Sequence, residues 1–190
     1  MKITYDNALD YSNETFQRIL TAFLFECPVE NVSQKAKHLN ITFPQKGWGG
    51  NTLNSLIAAM KRNVYSSNLE YRMLDNKQDV SNLYEDAERK MATEGKPYEI
   101  VVYQKNGGFL CTKSLFYSIR CALAHGDFSI EEDNCGERLY LFRNFNNQTT
   151  KACLRLYEKT LFMWIDLLHM DAESLPKAKL ICNTPERIAS

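Results

Sequence analysis

The chain has 190 residues, 44% of them hydrophobic, which suffices for one sizeable core and points to one domain rather than two. Lysine plus arginine and aspartate plus glutamate each total 23, so no overall field draws the protein to nucleic acid or to an anionic membrane, and any nucleic-acid site must be local. The apolar runs around Phe23 to Phe25 and Leu161 to Ile165 fall far short of the roughly 20 residues a spanning helix needs, and Met1 to Asn7 has no apolar signal core, so a cytoplasmic protein with no membrane contact is expected.

Asn13-Glu14-Thr15-Phe16 opens a helical pattern in which Phe16, Ile19, Leu20, Phe23 and Leu24 recur at steps of three and four, until Pro28 ends it. A short amphipathic piece from Val29 to Leu39 and a breaker-rich loop from Phe43 to Gly50 follow. Asn51 is placed to cap a helix carrying Leu53, Leu56, Ile57 and Met60 on one face. Asp79 to Thr93 reads as a more polar helix closed by Gly95, and Tyr98 to Tyr103 as a strand or an extended link ending at Asn106-Gly107-Gly108.

The helical pattern returns from Thr112 to His125, with Gly126 where a left-handed cap belongs. Phe128-Ser129-Ile130 and Arg138 to Arg143 alternate around Asp133-Asn134-Cys135-Gly136, which predicts a β-hairpin. Thr149 to Met170 is expected as one long last helix, its apolar face made by Cys153, Leu156, Tyr157, Leu161, Trp164, Leu167 and Leu168. The tail after Pro176 is expected to be loose. These elements predict an all-α, mainly helical bundle with a small hairpin insertion, a single domain over 1–190. It would comprise an N-terminal helical part at 1–107, a unit of motif helix, hairpin and last helix at 108–175, and a tail at 176–190.

Six cysteines (Cys27, Cys111, Cys121, Cys135, Cys153 and Cys182) read, without a secretion signal, as buried thiols of a reducing compartment. None forms a CxxC pair and His38, His125 and His169 are scattered, so neither a metal nor another cofactor is expected.

The helix before Gly126 has very little polar surface. At about 100° per residue, Leu115, Phe116, Ile119, Ala122 and Leu123 form one apolar stripe, while Tyr117, Cys121 and Ala124 occupy the opposite face. Such a helix is expected to be central, or shared with a second subunit. Arg120 and His125 flank the stripe about 140° apart, so the two cannot converge above one helix. A two-fold dimer built on this helix would bring them into a common cleft.

The run Ile119-Arg120-Cys121-Ala122-Leu123-Ala124-His125-Gly126 resembles the Arg-(four to six residues)-His signature of HEPN domains, the higher-eukaryote and prokaryote nucleotide-binding group. The resemblance spans roughly Gly108 to Met170. It implies a helical bundle that dimerises, with the Arg and His of both subunits lining the active cleft. It further implies a metal-independent endoribonuclease of the toxin, antiphage or RNA-processing kind, with a cognate antitoxin or regulatory protein among its partners. Active members often carry Asn, Asp or His directly after the arginine, where this chain has Cys121.

RNA supplies its own nucleophile, the 2′-hydroxyl, so cleavage needs only proton transfer and charge stabilisation at the phosphate. His125 lies in the last turn of its helix, where the dipole favours the imidazolium by about 0.3–1 kcal/mol, and suits a general acid or base. Arg120 suits a bidentate phosphate clamp. Tyr117, Cys121 and Asp127 are accessory candidates, and Arg138, Arg143, Lys151, Arg155 and Lys159 are candidates for a basic rim that holds RNA.

Plainer roles compete with each of these. His125 also fits a histidine that caps terminal carbonyls, Arg120 a border arginine whose stem covers apolar surface, and the five basic residues a solvated face. The rival function is a catalytically silent module that binds RNA, a nucleotide or a protein partner.

Overall fold

The structure, a computed structural model, describes residues 13–75, 79–146 and 149–175. Asn13 caps α1 (Glu14–Leu20), its side chain accepting a hydrogen bond from the Thr15 amide at 3.0 Å, and the chain continues in a wider π turn over Thr21–Phe25. Of the amphipathic piece only α2 (Gln34–His38) is helical, capped by Ser33. Then come α3 (Asn51–Arg62), β1 (Leu69–Leu74), α4 (Val80–Ala92), β2 (Glu99–Gln104), α5 (Cys111–His125), β3 (Phe128–Glu132), β4 (Arg138–Asn146), β5 (Thr149–Tyr157), α6 (Glu158–His169) and a 3-10 turn at Ala172–Ser174. Asn51 is the first residue of α3 rather than its cap, a position that Gly50 holds.

The all-α expectation is overturned. Five strands form one mixed sheet in the order β1-β2-β5-β4-β3. Strands β1 and β2 run parallel across the α4 connection, and the remaining pairs are antiparallel. The expected hairpin is present as β3 and β4, but it is the edge of this sheet and not an insertion in a bundle.

The larger error concerns Thr149 to Met170, whose first half is the strand β5. Between β2 and β4 this strand is covered on both faces. Ala152, Leu154 and Leu156 join the main core while Cys153 packs in a second cluster on the other side. A strand buried on both faces reads as a nearly continuous apolar run, which a helical period fits by accident.

One face of the sheet, through Val101, Tyr103, Tyr140 and Phe142, packs on residues of α1, α3, α5 and α6 in the main core. The other face, through Ile100 and Val102, packs on Val80, Tyr84 and Ala87 of α4. Helix α5 is as central as its composition predicts: Phe116 stacks on Phe23 at 5.9 Å and meets Phe43 edge-on at 5.7 Å. Gly126 ends it in the left-handed region (φ 70°), where a side chain would strain the backbone. Trp48 plugs the core, its indole nitrogen donating to the Met170 carbonyl at 3.2 Å.

A buried carboxylate ties three parts of this frame. Glu99, at the start of β2, accepts hydrogen bonds from the Tyr157 amide (2.9 Å), the Ser66 amide (3.1 Å) and the Ser66 hydroxyl (2.8 Å). Among the described residues no helix is long and apolar enough to cross a membrane. The loose tail and Cys182 lie outside the described residues. Of the remaining cysteines Cys27, Cys121 and Cys153 are buried, Cys111 is half-buried and Cys135 is exposed, so the expectation of uniformly buried thiols is corrected.

Candidate functional site

Where β2 and β4 end and β5 begins, the sheet leaves a cleft of about 530 Å³ beside α5. Its helix wall is made by Tyr117, Ser118, Cys121 and His125. Tyr117, Cys121 and His125 are spaced four residues apart, so they stand above one another on one side of α5. Gln104, Lys105, Asn106 and Gly107 line it from the end of β2, Asn144, Phe145 and Asn146 from the end of β4, and Lys151 from the start of β5. None of these residues is acidic, so a locally positive cleft sits in a chain whose charges balance.

The structure therefore brings together four of the sequence candidates, His125, Cys121, Tyr117 and Lys151. His125 is exposed at the helix end. Tyr117 meets Phe109 edge-on at 5.4 Å and its hydroxyl hydrogen-bonds with the Cys121 sulfur, an interaction that holds its own proton more tightly. Burial pushes the Cys121 thiol above its ordinary range despite the opposing pull of Tyr117 and Arg120, so it rests as a neutral thiol and is a poor nucleophile.

Arg120 does not line the cleft. It faces another side of α5, near the buried Cys27, whose thiol burial pushes up to about 11. The Arg120 Nε is sealed from solvent without a hydrogen-bond partner, and its guanidinium has no hydrogen bond or ion pair with any described residue. The 140° separation of Arg120 and His125 on the helix thus persists in the single chain. Asp127 serves the turn through its backbone, its amide donating to the Ala122 carbonyl and its carbonyl accepting from the Arg143 amide, both at 2.8 Å.

The five basic candidates do not form one rim. Arg138 pairs with Glu158 at 3.7 Å and Lys159 with Glu137 at 2.6 Å, near the end of β4 opposite the cleft and roughly 20 Å away along the strand. Arg155 stacks over the Tyr98 ring at 4.5 Å, with its Nε buried and unpartnered. Arg143 is exposed outside the cleft, so only Lys151 lines it.

Several cleft residues were not foreseen: Gln104, Lys105, Ser118, Asn144 and Phe145. The available signal was Asn144, a polar residue in register with the inward positions Tyr140 and Phe142, where period two calls for an apolar side chain. Among the described residues no group of three or more His, Cys, Asp or Glu side chains gathers as a metal site. Comparison with family models, with curated proteins and with solved structures finds no match.

Proposed function

We propose that this chain is a metal-independent endoribonuclease that cuts RNA to 2′,3′-cyclic phosphate and 5′-hydroxyl ends. The observation that carries the reading is His125, exposed on the wall of an acid-free cleft that also holds two lysines. A phosphodiester entering that cleft meets Lys105 and Lys151, which neutralise it, and an imidazole that can accept the 2′-hydroxyl proton. Attack of the 2′-oxygen on phosphorus breaks the bond to the 5′-oxygen. The proton taken at the start matches the one the leaving oxygen needs, so none is consumed overall.

Arg120 enters this reading through a second copy. Packing two α5 helices about a two-fold axis would carry the Arg120 guanidinium of one chain, which has no ion pair among the described residues, towards the cleft of the other. The resemblance to HEPN domains contributes the Arg-x4-His pair and, with it, a cytoplasmic toxin or antiphage setting. It contributes nothing to the sheet.

The test is incubation of the purified protein and of His125→Ala with mixed cellular RNA in chelator, followed by analysis of the fragment ends. Cyclic-phosphate ends from the parent, reduced at least about 100-fold in the variant, are expected. Ends bearing a 3′-hydroxyl, or equal cleavage by both proteins, would reject the mechanism. Light scattering that shows a monomer at micromolar concentration would remove Arg120 from it.

The rival reading, a silent module that binds RNA without cutting it, is favoured by one specific observation: Arg120 stands outside the cleft that holds His125. It predicts intact RNA from both proteins together with measurable binding.

A further inference from the structure

Three polar side chains of the cleft are almost wholly buried: Gln104 at 7% exposure, Ser118 at 4% and Asn144 at 8%. Gln104 accepts a hydrogen bond from Lys151 Nζ at 3.0 Å. Ser118 and Asn144 have no side-chain hydrogen bond to another described residue, and their polar atoms are not among those sealed from solvent, so they open on the cleft. A buried amide without a partner destabilises a fold, and one that opens on a cavity has its donor and acceptor free for a ligand.

The backbone beside Asn144 is irregular. The pairing of β4 with β5 jumps from Asn144↔Ala152 to Phe145↔Thr150, which leaves Lys151 as an extra residue without an opposite number. Bulges of this kind re-aim side chains next to binding sites. Here the bulge brings together a free amide, a lysine and the aromatic ring of Phe145, which is 40% exposed at the cleft. An amide edge, an exposed ring and cations without acids match the hydrogen-bonding edge, the flat face and the phosphate of one nucleotide. The volume of 530 Å³ lies within the range of small-ligand sites, about 300–1,000 Å³.

We infer that the cleft is a subsite for one unpaired adenine nucleotide, with the Asn144 amide paired to the base edge, Phe145 stacked on its face, and Lys105 and Lys151 on the flanking phosphates. Adenine presents a donor and an acceptor side by side, the arrangement an asparagine amide meets with two hydrogen bonds, and as a purine it stacks strongly. This inference rests on the nucleolytic reading for its substrate class and adds the base the site selects.

The experiment uses the full-length protein and fluorescent eight-nucleotide oligo(dA), oligo(dT) and oligo(dC), which lack the 2′-hydroxyl and so report binding without turnover. Oligo(dA) should bind at least about tenfold more tightly than the others. Asn144→Leu should erase that preference, bringing oligo(dA) binding down to the level of oligo(dT) and oligo(dC). Phe145→Ala, a change at an exposed position that leaves the core intact, should weaken oligo(dA) binding roughly tenfold. Equal binding of the three oligomers, preference for a pyrimidine, no binding at all, or a preference that survives both substitutions would overturn the subsite.

Cleavage of the matching ribo-oligomers in chelator separates the two claims. Adenine preference without cleavage keeps the subsite and removes the nuclease. Cleavage without base preference does the reverse.

Discussion

Arg120 carries a permanent charge on α5 with its Nε sealed and no carboxylate paired with it among the described residues, and its neighbours Cys27, Tyr117 and Cys121 are neutral groups held in their protonated form. A sealed Nε of this kind costs folding energy, because that N–H gives up hydration and gains no partner. Methionine has a stem of similar length and keeps the packing without the charge. Arg120→Met is therefore expected to leave the urea midpoint unchanged or raise stability by on the order of 1 kcal/mol. RNA cleavage should fall at least about tenfold. Urea denaturation followed by circular dichroism, beside the cleavage assay, reads both quantities. A loss of stability greater than about 1 kcal/mol would instead make Arg120 a structural border residue.

Among the elements, the start of β2 is the joint on which the sheet is hung. Glu99 is fully buried and holds the Ser66 turn before β1 and the Tyr157 amide at the junction of β5 and α6. Glu99→Ala strands the Ser66 and Tyr157 amides, each costing about 1–3 kcal/mol when left unpaired, while the Ser66 hydroxyl keeps the Asn68 carbonyl at 3.1 Å as an acceptor, so a loss of roughly 2 kcal/mol or more is expected in thermal or urea unfolding. Glu99→Gln, which keeps an acceptor, should recover part of it. A loss below about 1 kcal/mol in the alanine variant would show that water replaces the carboxylate there.

The same elements show what the sequence makes legible. Helix α5 is readable because apolar residues at steps of three and four end on Gly126, and the β3–β4 hairpin because its strands alternate around Asp133 to Gly136. Strand β5 escapes because covering both of its faces erases the alternation. Strand β1 escapes because, at the edge, only Leu74 of its six residues is buried. His125, Cys121 and Tyr117 are legible as site residues since one helix carries them. Lys105, Asn144 and Lys151 converge through strand pairing and a bulge, and no local spacing encodes that.

At the scale of the whole molecule, charge balance decides how RNA would be held. With 23 basic and 23 acidic residues there is no long-range attraction, and the outlying basic side chains Arg138 and Lys159 are already paired with glutamates. For a single chain the electrostatic share of binding then rests on Lys105 and Lys151 in the cleft, and Arg120 of a second copy would add one more phosphate contact. Counterion release from a single strand lowers log K by about 0.7 per neutralised phosphate for each unit of log salt, so two lysines predict a slope of about −1.4, and the two with Arg120 about −2.1. Anisotropy titrations of oligo(dA) between low and moderate salt should give a value in that shallow range. Lys151→Gln should make it shallower by about 0.7 for every oligonucleotide alike, because a phosphate contact carries no base preference. A slope steeper than about −3 would place the strand across Arg143, Arg155 and other surface cations outside the cleft, and the site would have to be redrawn around them.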